Sequence, residues 1–183
     1  MAKNLYCIIG ESGTGKSTIA ENVAKSLELK ILKSYTTREK RSANDNDHTF
    51  ITEEEYEALP DKIATTYFNG HHYCCTEKQL DDSDIYIIDA AGLKELLRKY
   101  RNRRVVIIRL TANMDARLAR MINRGDSVDK AFDRLKNDYI DGFSLDGCVI
   151  KAADYHEIVT DDTPAYYITE WLSEIIEDEE KKF

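Results

Sequence analysis

Short apolar runs alternate with amphipathic stretches along most of the chain, and the two patterns predict different elements. Leu5–Ile9 is apolar at every position, as expected of a strand buried on both faces of a sheet. Lys16–Leu27 instead carries its apolar residues at helical spacing. Five core strands are predicted in this way: Leu5–Ile9, Ile31–Ser34, Ile85–Asp89, Val105–Leu110 and Glu157–Thr160. Five helices are predicted between and after them: Lys16–Leu27, Ala91–Tyr100, Met114–Asn123, Ser127–Tyr139 and Ala165–Glu177. This alternation predicts an α/β fold with a parallel sheet.

The pattern changes between residues 35 and 80. Three short β-prone segments surround one predicted helix, Glu53–Leu59; the segments are His48–Thr52, Ile63–Phe68 and His71–Cys75. A second polar, highly charged segment covers residues 117–141. We therefore predict one domain with a core of residues 1–34, 81–116 and 142–183. The lobe of residues 35–80 is inserted into this core, and residues 117–141 form a helical lid.

The amino-acid composition limits the classes of partner and the cellular setting that we expect for this chain. The 183 residues include 26 basic and 34 acidic side chains, which gives a formal charge of −8. Such a balance disfavours a nucleic-acid polymer as partner but allows a small anion in a local basic pocket. No apolar run approaches the roughly 20 residues of a membrane span. The four cysteines show neither metal-ligand spacing nor a disulfide framework, so we expect a cytoplasmic protein. Both a monomer and a homodimer remain open.

Residues 10–17, Gly-Glu-Ser-Gly-Thr-Gly-Lys-Ser, match the phosphate-binding loop pattern at every fixed position. A predicted strand precedes the loop and a predicted helix follows it, which is the context that the chemistry needs. Glycines let backbone N–H groups surround a phosphate, and the helix N-terminus adds partial positive charge. Lys16 can then reach the terminal phosphates of a nucleotide, and the Ser17 hydroxyl can ligate Mg²⁺.

A basic segment, Ser34–Arg41, follows the second predicted strand. Ligands of open α/β sheets bind at the carboxyl ends of the strands, where this segment begins. Arg38 and Arg41 could hold one phosphate there by bidentate hydrogen bonds. Taken alone, the segment could equally be a solvated basic turn.

The order Ser34-Tyr35-Thr36-Thr37-Arg38-x-x-Arg41 resembles the nucleotide-monophosphate signature of guanylate kinases. Further segments resemble that family in the same order: Asp47–Thr52, Phe68–Tyr73, Ile87–Gly92, Arg120–Gly125 with Arg134 and Leu135, and Asp154–Asp162. The resemblance covers nearly the whole chain. It implies a P-loop NTPase fold of three layers, with an acceptor-binding lobe and a lid.

The resemblance also implies roles for individual residues. ATP would be bound by the loop and one lid arginine: Gly10, Ser12, Gly13, Thr14, Gly15, Lys16, Ser17, Thr18 and Arg120. The acceptor would be bound from the lobe and the core edge: Ser34, Arg38, Arg41, Tyr73, Cys75 and Asp89. Ser17 and Asp89 would hold Mg²⁺. The residues expected to act in the transfer itself are Lys16, Arg38, Arg124 and Arg134.

Several of these residues have plainer interpretations. Tyr73 could be an ordinary aromatic of the lobe, and Asp89 could simply cap the helix that follows it. Arg120, Arg124 and Arg134 could form a solvated charged face.

The departures from the family pattern fall in the base pocket. Ala64 stands where the family has the Glu that reads guanine, and Cys75 stands where it has a small hydroxyl residue. His48 replaces a phosphate-contacting Tyr, and Thr160 replaces the Asn that helps to hold adenine. We therefore expect either weak discrimination among acceptor bases or a preference for an acceptor other than GMP, with guanine still the most favoured base.

The sequence favours an ATP-dependent nucleoside monophosphate kinase that phosphorylates GMP or a related nucleotide. One alternative is a kinase for another phosphorylated acceptor, such as a ribose phosphate. The other is a non-catalytic guanylate-kinase-like binding module, which the complete phosphate-binding loop disfavours.

Overall fold

The computed structural model describes residues 2–40, 45–68, 70–140 and 154–182. Its main sheet contains β1 (Leu5–Ile9), β6 (Ile85–Ile87), β7 (Val105–Thr111) and β8 (Asp154–Val159) in the order β6-β1-β7-β8. All three pairings are parallel, and Ile8 aligns with Ile87 on one side and Ile108 on the other. The predicted α/β fold with a parallel sheet is confirmed.

Helices cover both faces of this sheet. On one face lie α1 (Lys16–Ser26) and α7 (Ala165–Lys181), and on the other lies α4 (Ala90–Lys99). Tyr6 and Ile8 pack toward α1 and α7, whereas Leu5, Cys7 and Ile9 pack toward α4. Because successive side chains of a strand point to opposite faces, β1 has to be apolar throughout to fill both layers.

A second sheet forms the lobe. It contains β2 (Tyr35–Thr36), β3 (Thr49–Phe50), β4 (Lys62–Phe68) and β5 (His71–Thr76) in the order β3-β2-β5-β4. Its helices, α2 (Glu53–Ala58) and α3 (Glu77–Asp81), each begin with a capping box, Thr52 with Glu55 and Thr76 with Gln79.

One predicted strand next to the lobe is wrong, and one short helix was not expected. The predicted strand Ile31–Ser34 contributes one isolated bridge, Ile31 to Ile85, because the chain leaves the core there and pairs next in the lobe sheet. The helix α3 was not predicted, since its five residues are too few to show a helical period.

Helices α5 (Met114–Asn123) and α6 (Val128–Ile140) follow β7. They share a small apolar core of Met121, Ala131 and Leu135, against which Leu118 packs. In the described part of the chain, no helix combines the length and apolar character needed to cross a membrane.

A buried carboxylate ties the end of α7 to the sheet. Glu179 is 2% exposed and accepts hydrogen bonds from Arg104 at 2.7 Å, His156 at 2.8 Å and Lys182 at 2.6 Å. Burial opposes its ionisation, but the hydrogen bonds from Lys182, Arg104 and His156 outweigh it and lower the pKa of Glu179 to about 2. The charged form of Glu179 therefore stabilises the fold.

We predict that Glu179→Gln lowers the free energy of unfolding at pH 7 by about 1.5–3 kcal/mol, because charge-assisted hydrogen bonds are lost. Urea denaturation measures this change. Since the folded-state pKa lies below the ordinary value of 4.5, the difference from wild type should shrink as the pH falls from 4.5 toward 2. Glu177→Gln, on the exposed side of the same helix, should change little. Equal effects of the two variants would contradict the prediction.

Candidate active site

The phosphate-binding loop connects β1 to α1, and its backbone needs glycine at fixed points. Gly10 has φ +147°, and a Cβ there would collide with the carbonyl oxygen of Leu110 in β7. Gly13 has φ +82°, and a Cβ there would lie 2.7 Å from the carbonyl oxygen of Arg117 in α5. Gly15, at φ +93°, caps α1. The loop is thus packed closely against β7 and α5. Its glycines allow the backbone conformation in which successive N–H groups can surround a phosphate.

Lys16 lies across this loop. Its Nζ donates to the carbonyl oxygens of Gly10 at 2.7 Å and Glu11 at 2.8 Å. Burial lowers the pKa of Lys16 to about 8, while the charges of Asp138 and Glu11 partly oppose the shift. The ammonium group is therefore poorly compensated here, and a phosphate would be a better partner.

The first turn of α1 presents further polar groups. Ser17 and Thr18 are exposed. Thr14 is buried, and its hydroxyl donates to the backbone carbonyl oxygen of Glu11 at 2.9 Å. The free rim of the loop therefore offers a hydroxyl to a cation, and oxygen donors suit Mg²⁺.

Asp89 follows β6, which neighbours β1 in the sheet, so it lies at the same sheet edge as the loop. Its Oδ1 accepts from the backbone N–H of Gly92 at 2.8 Å and caps α4, and Thr66 donates to its Oδ2 at 3.4 Å. The capping interpretation is thus realised through one oxygen, and the exposed carboxylate keeps acceptor capacity for a metal-bound water or a substrate.

Arg120 lies beside the loop. It donates to the carbonyl oxygens of Gly13 at 3.4 Å and Thr160 at 2.6 Å, and to the Thr160 hydroxyl at 2.9 Å. That hydroxyl also donates to the carbonyl oxygen of Thr14 at 3.1 Å. These contacts join α5, the end of β8 and the loop.

The other two lid arginines are held within the lid. Arg124 lies 2.5 Å and Arg134 3.9 Å from the carboxylate of Asp126. Arg124 nevertheless lies close enough for its charge to lower the pKa of Lys16. The structure thus brings Arg120 into contact with the loop and keeps Arg124 and Arg134 on Asp126.

Three polar side chains meet on the lobe. Ser34 Oγ lies 2.9 Å from His48 Nδ1, and the His48 ring meets the Tyr73 ring edge-on at 5.6 Å between centroids. The sequence predicts Ser34 and Tyr73 as site residues, whereas it identifies His48 only as the replacement of a family Tyr. The alignment with that phosphate-contacting Tyr was the signal that could have placed His48 in the site.

Arg38 is connected to this cluster through Phe50, whose ring centre lies 6.2 Å from that of His48. Its guanidinium pairs with Asp45 at 2.9 Å and lies 5.1 Å from the ring centre of Phe50. The side chain is 10% exposed, and its Nε has no hydrogen-bond partner among the described residues. A buried donor of this kind favours an anionic ligand. Arg41 lies outside the described residues.

The two positions that replace base-reading residues face the core. Ala64 has φ +56° at an irregularity of β4, and its Cβ packs against Gly92 of α4. The Cys75 thiol is fully buried, donates to the carbonyl oxygen of Ile63 at 3.4 Å, and burial raises its pKa to about 12. Cys75 therefore packs in the core, and its role as an acceptor ligand stays a prediction.

Sequence reasoning also missed a carboxylate near Ala64. Glu95 of α4 accepts from the Thr65 hydroxyl at 2.6 Å and pairs with Lys99 at 2.6 Å. Glu95 contacts Thr65 because α4 packs against β4, and no local sequence pattern reveals that packing.

Known proteins match this fold and loop. A family model described as an AAA domain matches residues 7–141. A guanylate kinase of Fusobacterium nucleatum is 28% identical over 145 residues, which are 73% of this chain and 78% of that protein. A guanylate kinase of Bartonella quintana is 30% identical over 145 residues, which are 73% of this chain and 66% of that protein.

Among solved structures, guanylate kinase from Anaplasma phagocytophilum matches with a TM-score of 0.60 and 20% identity, over all of this chain and 89% of that one. The structural match supports the assignment of the fold, and the sequence matches support membership of a protein family. Together with the complete phosphate-binding loop, they show that the chain belongs to the guanylate kinase family of P-loop phosphotransferases.

Proposed function

We propose that the protein transfers the γ-phosphoryl group of ATP to a nucleoside monophosphate, with GMP the favoured acceptor. The observation that supports this proposal is that the chain holds two groups of side chains suited to phosphate. The phosphate-binding loop with Lys16 would form the donor site, and the lobe cluster of Ser34, Arg38, His48 and Tyr73 would form the acceptor site. Two phosphate-bearing substrates that meet between lobe and core are what a phosphoryl transfer requires.

The donor nucleotide would be held by backbone N–H groups of the loop and by Lys16. On binding, Lys16 would exchange the carbonyl oxygens of Gly10 and Glu11 for phosphate oxygens. Ser17 and Asp89 would hold Mg²⁺, which supplies further neutralisation of phosphate charge when bound.

The acceptor phosphate would be held on the lobe by Arg38, Arg41 and Tyr73. Arg38 would exchange Asp45 for the phosphate and satisfy its buried Nε at the same time. His48 and Ser34 would border the same phosphate or its sugar.

Catalysis would be positional and electrostatic. Arg120 lies in α5, Arg124 directly follows it, and Arg134 lies in α6, so movement of these helices would bring positive charge over the transferring group. Closure of the lid would also exclude water and limit hydrolysis of ATP.

One observation favours a second candidate acceptor, such as a ribose phosphate. At the family's base-reading positions, the Ala64 methyl and the Cys75 thiol point into the core. A phosphorylated sugar would use the phosphate contacts of the lobe without a base contact.

We predict that ATP affinity falls by up to about tenfold per pH unit above pH 8, because the free protein loses the Lys16 proton there and ATP binding requires the charged form. Calorimetry at pH 8.5, in two buffers with different ionisation enthalpies, should detect proton uptake on binding. Burial raises the pKa of Cys74 to about 11, so this thiol does not interfere. Lys16→Met should bind weakly at every pH. Equal wild-type affinities at pH 7 and 9.5 would contradict this role of Lys16.

We predict that Arg38→Met raises the acceptor KM by about 10- to 100-fold, since a charge-assisted hydrogen bond is worth about 1.5–3 kcal/mol. ATP affinity should change much less, because Arg38 lies in the lobe. Steady-state kinetics with each substrate varied in turn separates the two effects. Arg98→Met, on the exposed face of α4, is the matched control. A loss of ATP affinity with unchanged acceptor kinetics would show that the assignment is wrong.

A further inference from the structure

A carboxylate from the lid occupies an anion position on the phosphate-binding loop. Asp138 of α6 accepts from the backbone N–H of Ser12 at 3.0 Å through Oδ2 and from the Ser12 hydroxyl at 3.3 Å through Oδ1. Its charge also acts on Lys16, whose pKa it raises against the larger effect of burial. An acidic side chain thus lies where the loop offers its donors.

Arg117 of α5 completes this arrangement. Its guanidinium pairs with the Asp138 carboxylate, and its Nε donates to the carbonyl oxygen of Ser12 at 2.8 Å. The side chain is 11% exposed, and its own backbone contacts the position of Gly13. A positive side chain is therefore fixed at the rim of the loop by the element that packs on it.

The hydrogen-bond donors around Asp138 are of the kinds that bind phosphates in other proteins. They comprise a loop N–H, a hydroxyl and a guanidinium, and each of them can donate equally well to a phosphoryl oxygen. Asp138 and a terminal phosphate cannot share these donors, because two anions at hydrogen-bond distance repel each other strongly in a partly buried site.

We propose that Arg117 binds the terminal phosphate of the donor nucleotide, and that Asp138 occupies this position in the nucleotide-free protein. The proposal rests on the proposed use of a nucleoside triphosphate by the loop. Binding of the nucleotide displaces Asp138, which releases α6 from Ser12 and transfers the Arg117 guanidinium from a carboxylate to a phosphate. Arrival of the donor is thereby coupled to movement of the lid.

The experiment compares ATP, ADP and AMP as competitors of a fluorescent ATP analogue, with no acceptor present. Asp138→Asn removes the competing charge and keeps the size of the side chain, so we expect ATP to bind about five- to twentyfold more tightly. Arg117→Gln should weaken ATP about tenfold or more and ADP less, and it should leave AMP unchanged. The matched controls are Asp133→Asn on the exposed face of α6 and Arg98→Gln on α4. Circular dichroism establishes that each variant is folded.

A purely structural ion pair between α5 and α6 predicts a different result. Asp138→Asn would then lower the thermal midpoint and leave ATP affinity unchanged or weaker, and Arg117→Gln would affect the three nucleotides alike. Either outcome would overturn the inference while the proposed function stands. Failure of the wild-type protein to bind ATP would overturn both. Arg117→Lys keeps the charge and provides a second folded variant, which should retain most of the preference for ATP over ADP.

Discussion

Close packing around the phosphate-binding loop is the constraint on which the rest of the site depends. The Leu110 carbonyl of β7 packs directly against Gly10, and the Arg117 backbone of α5 packs directly against Gly13. Neither glycine position therefore has room for a side chain. The same two contacts place the end of β7, the start of the lid and the loop beside one another. A single substitution at Gly10 or Gly13 would therefore disturb the loop and the entry to the lid together.

Four cations among the described residues of the site are each paired with an oxygen of the protein. Lys16 holds loop carbonyl oxygens, Arg38 holds Asp45, Arg117 holds Asp138, and Arg124 holds Asp126. These oxygens compensate the partly buried positive charges only in part, and least at Lys16, where burial lowers the pKa to about 8. Substrate phosphates would replace these partners, so binding becomes an exchange of anions. Because Asp126 and Asp138 belong to the predicted lid, the proposed exchange would be coupled to closure of that lid.

Local patterns were sufficient for the loop, for β1 and for α5, because spacing and apolar period specify them within a few residues. They were insufficient where the outcome depends on distant partners. Ile31–Ser34 has the composition of a strand, yet pairing with the lobe takes the chain away from the core sheet. Burial of Cys75 and the contact of Asp138 with Ser12 depend on how helices pack on the loop and on β4. A sequence pattern identifies candidate residues, and the tertiary fold decides their partners.

Acceptor-dependent formation of ADP from ATP tests whether this chain is a nucleoside monophosphate kinase. With Mg²⁺ present, we predict steady ADP release that requires a nucleoside monophosphate, with the acceptors compared as GMP, AMP, CMP, UMP and ribose phosphate. Lys16→Ala should lower this rate by orders of magnitude in a folded protein, and Lys25→Ala, exposed on the same helix, should leave it unchanged. ADP release that is independent of every acceptor would show that no phosphoryl group is transferred to these acceptors, and near-normal transfer by Lys16→Ala would show that the loop lysine is not required.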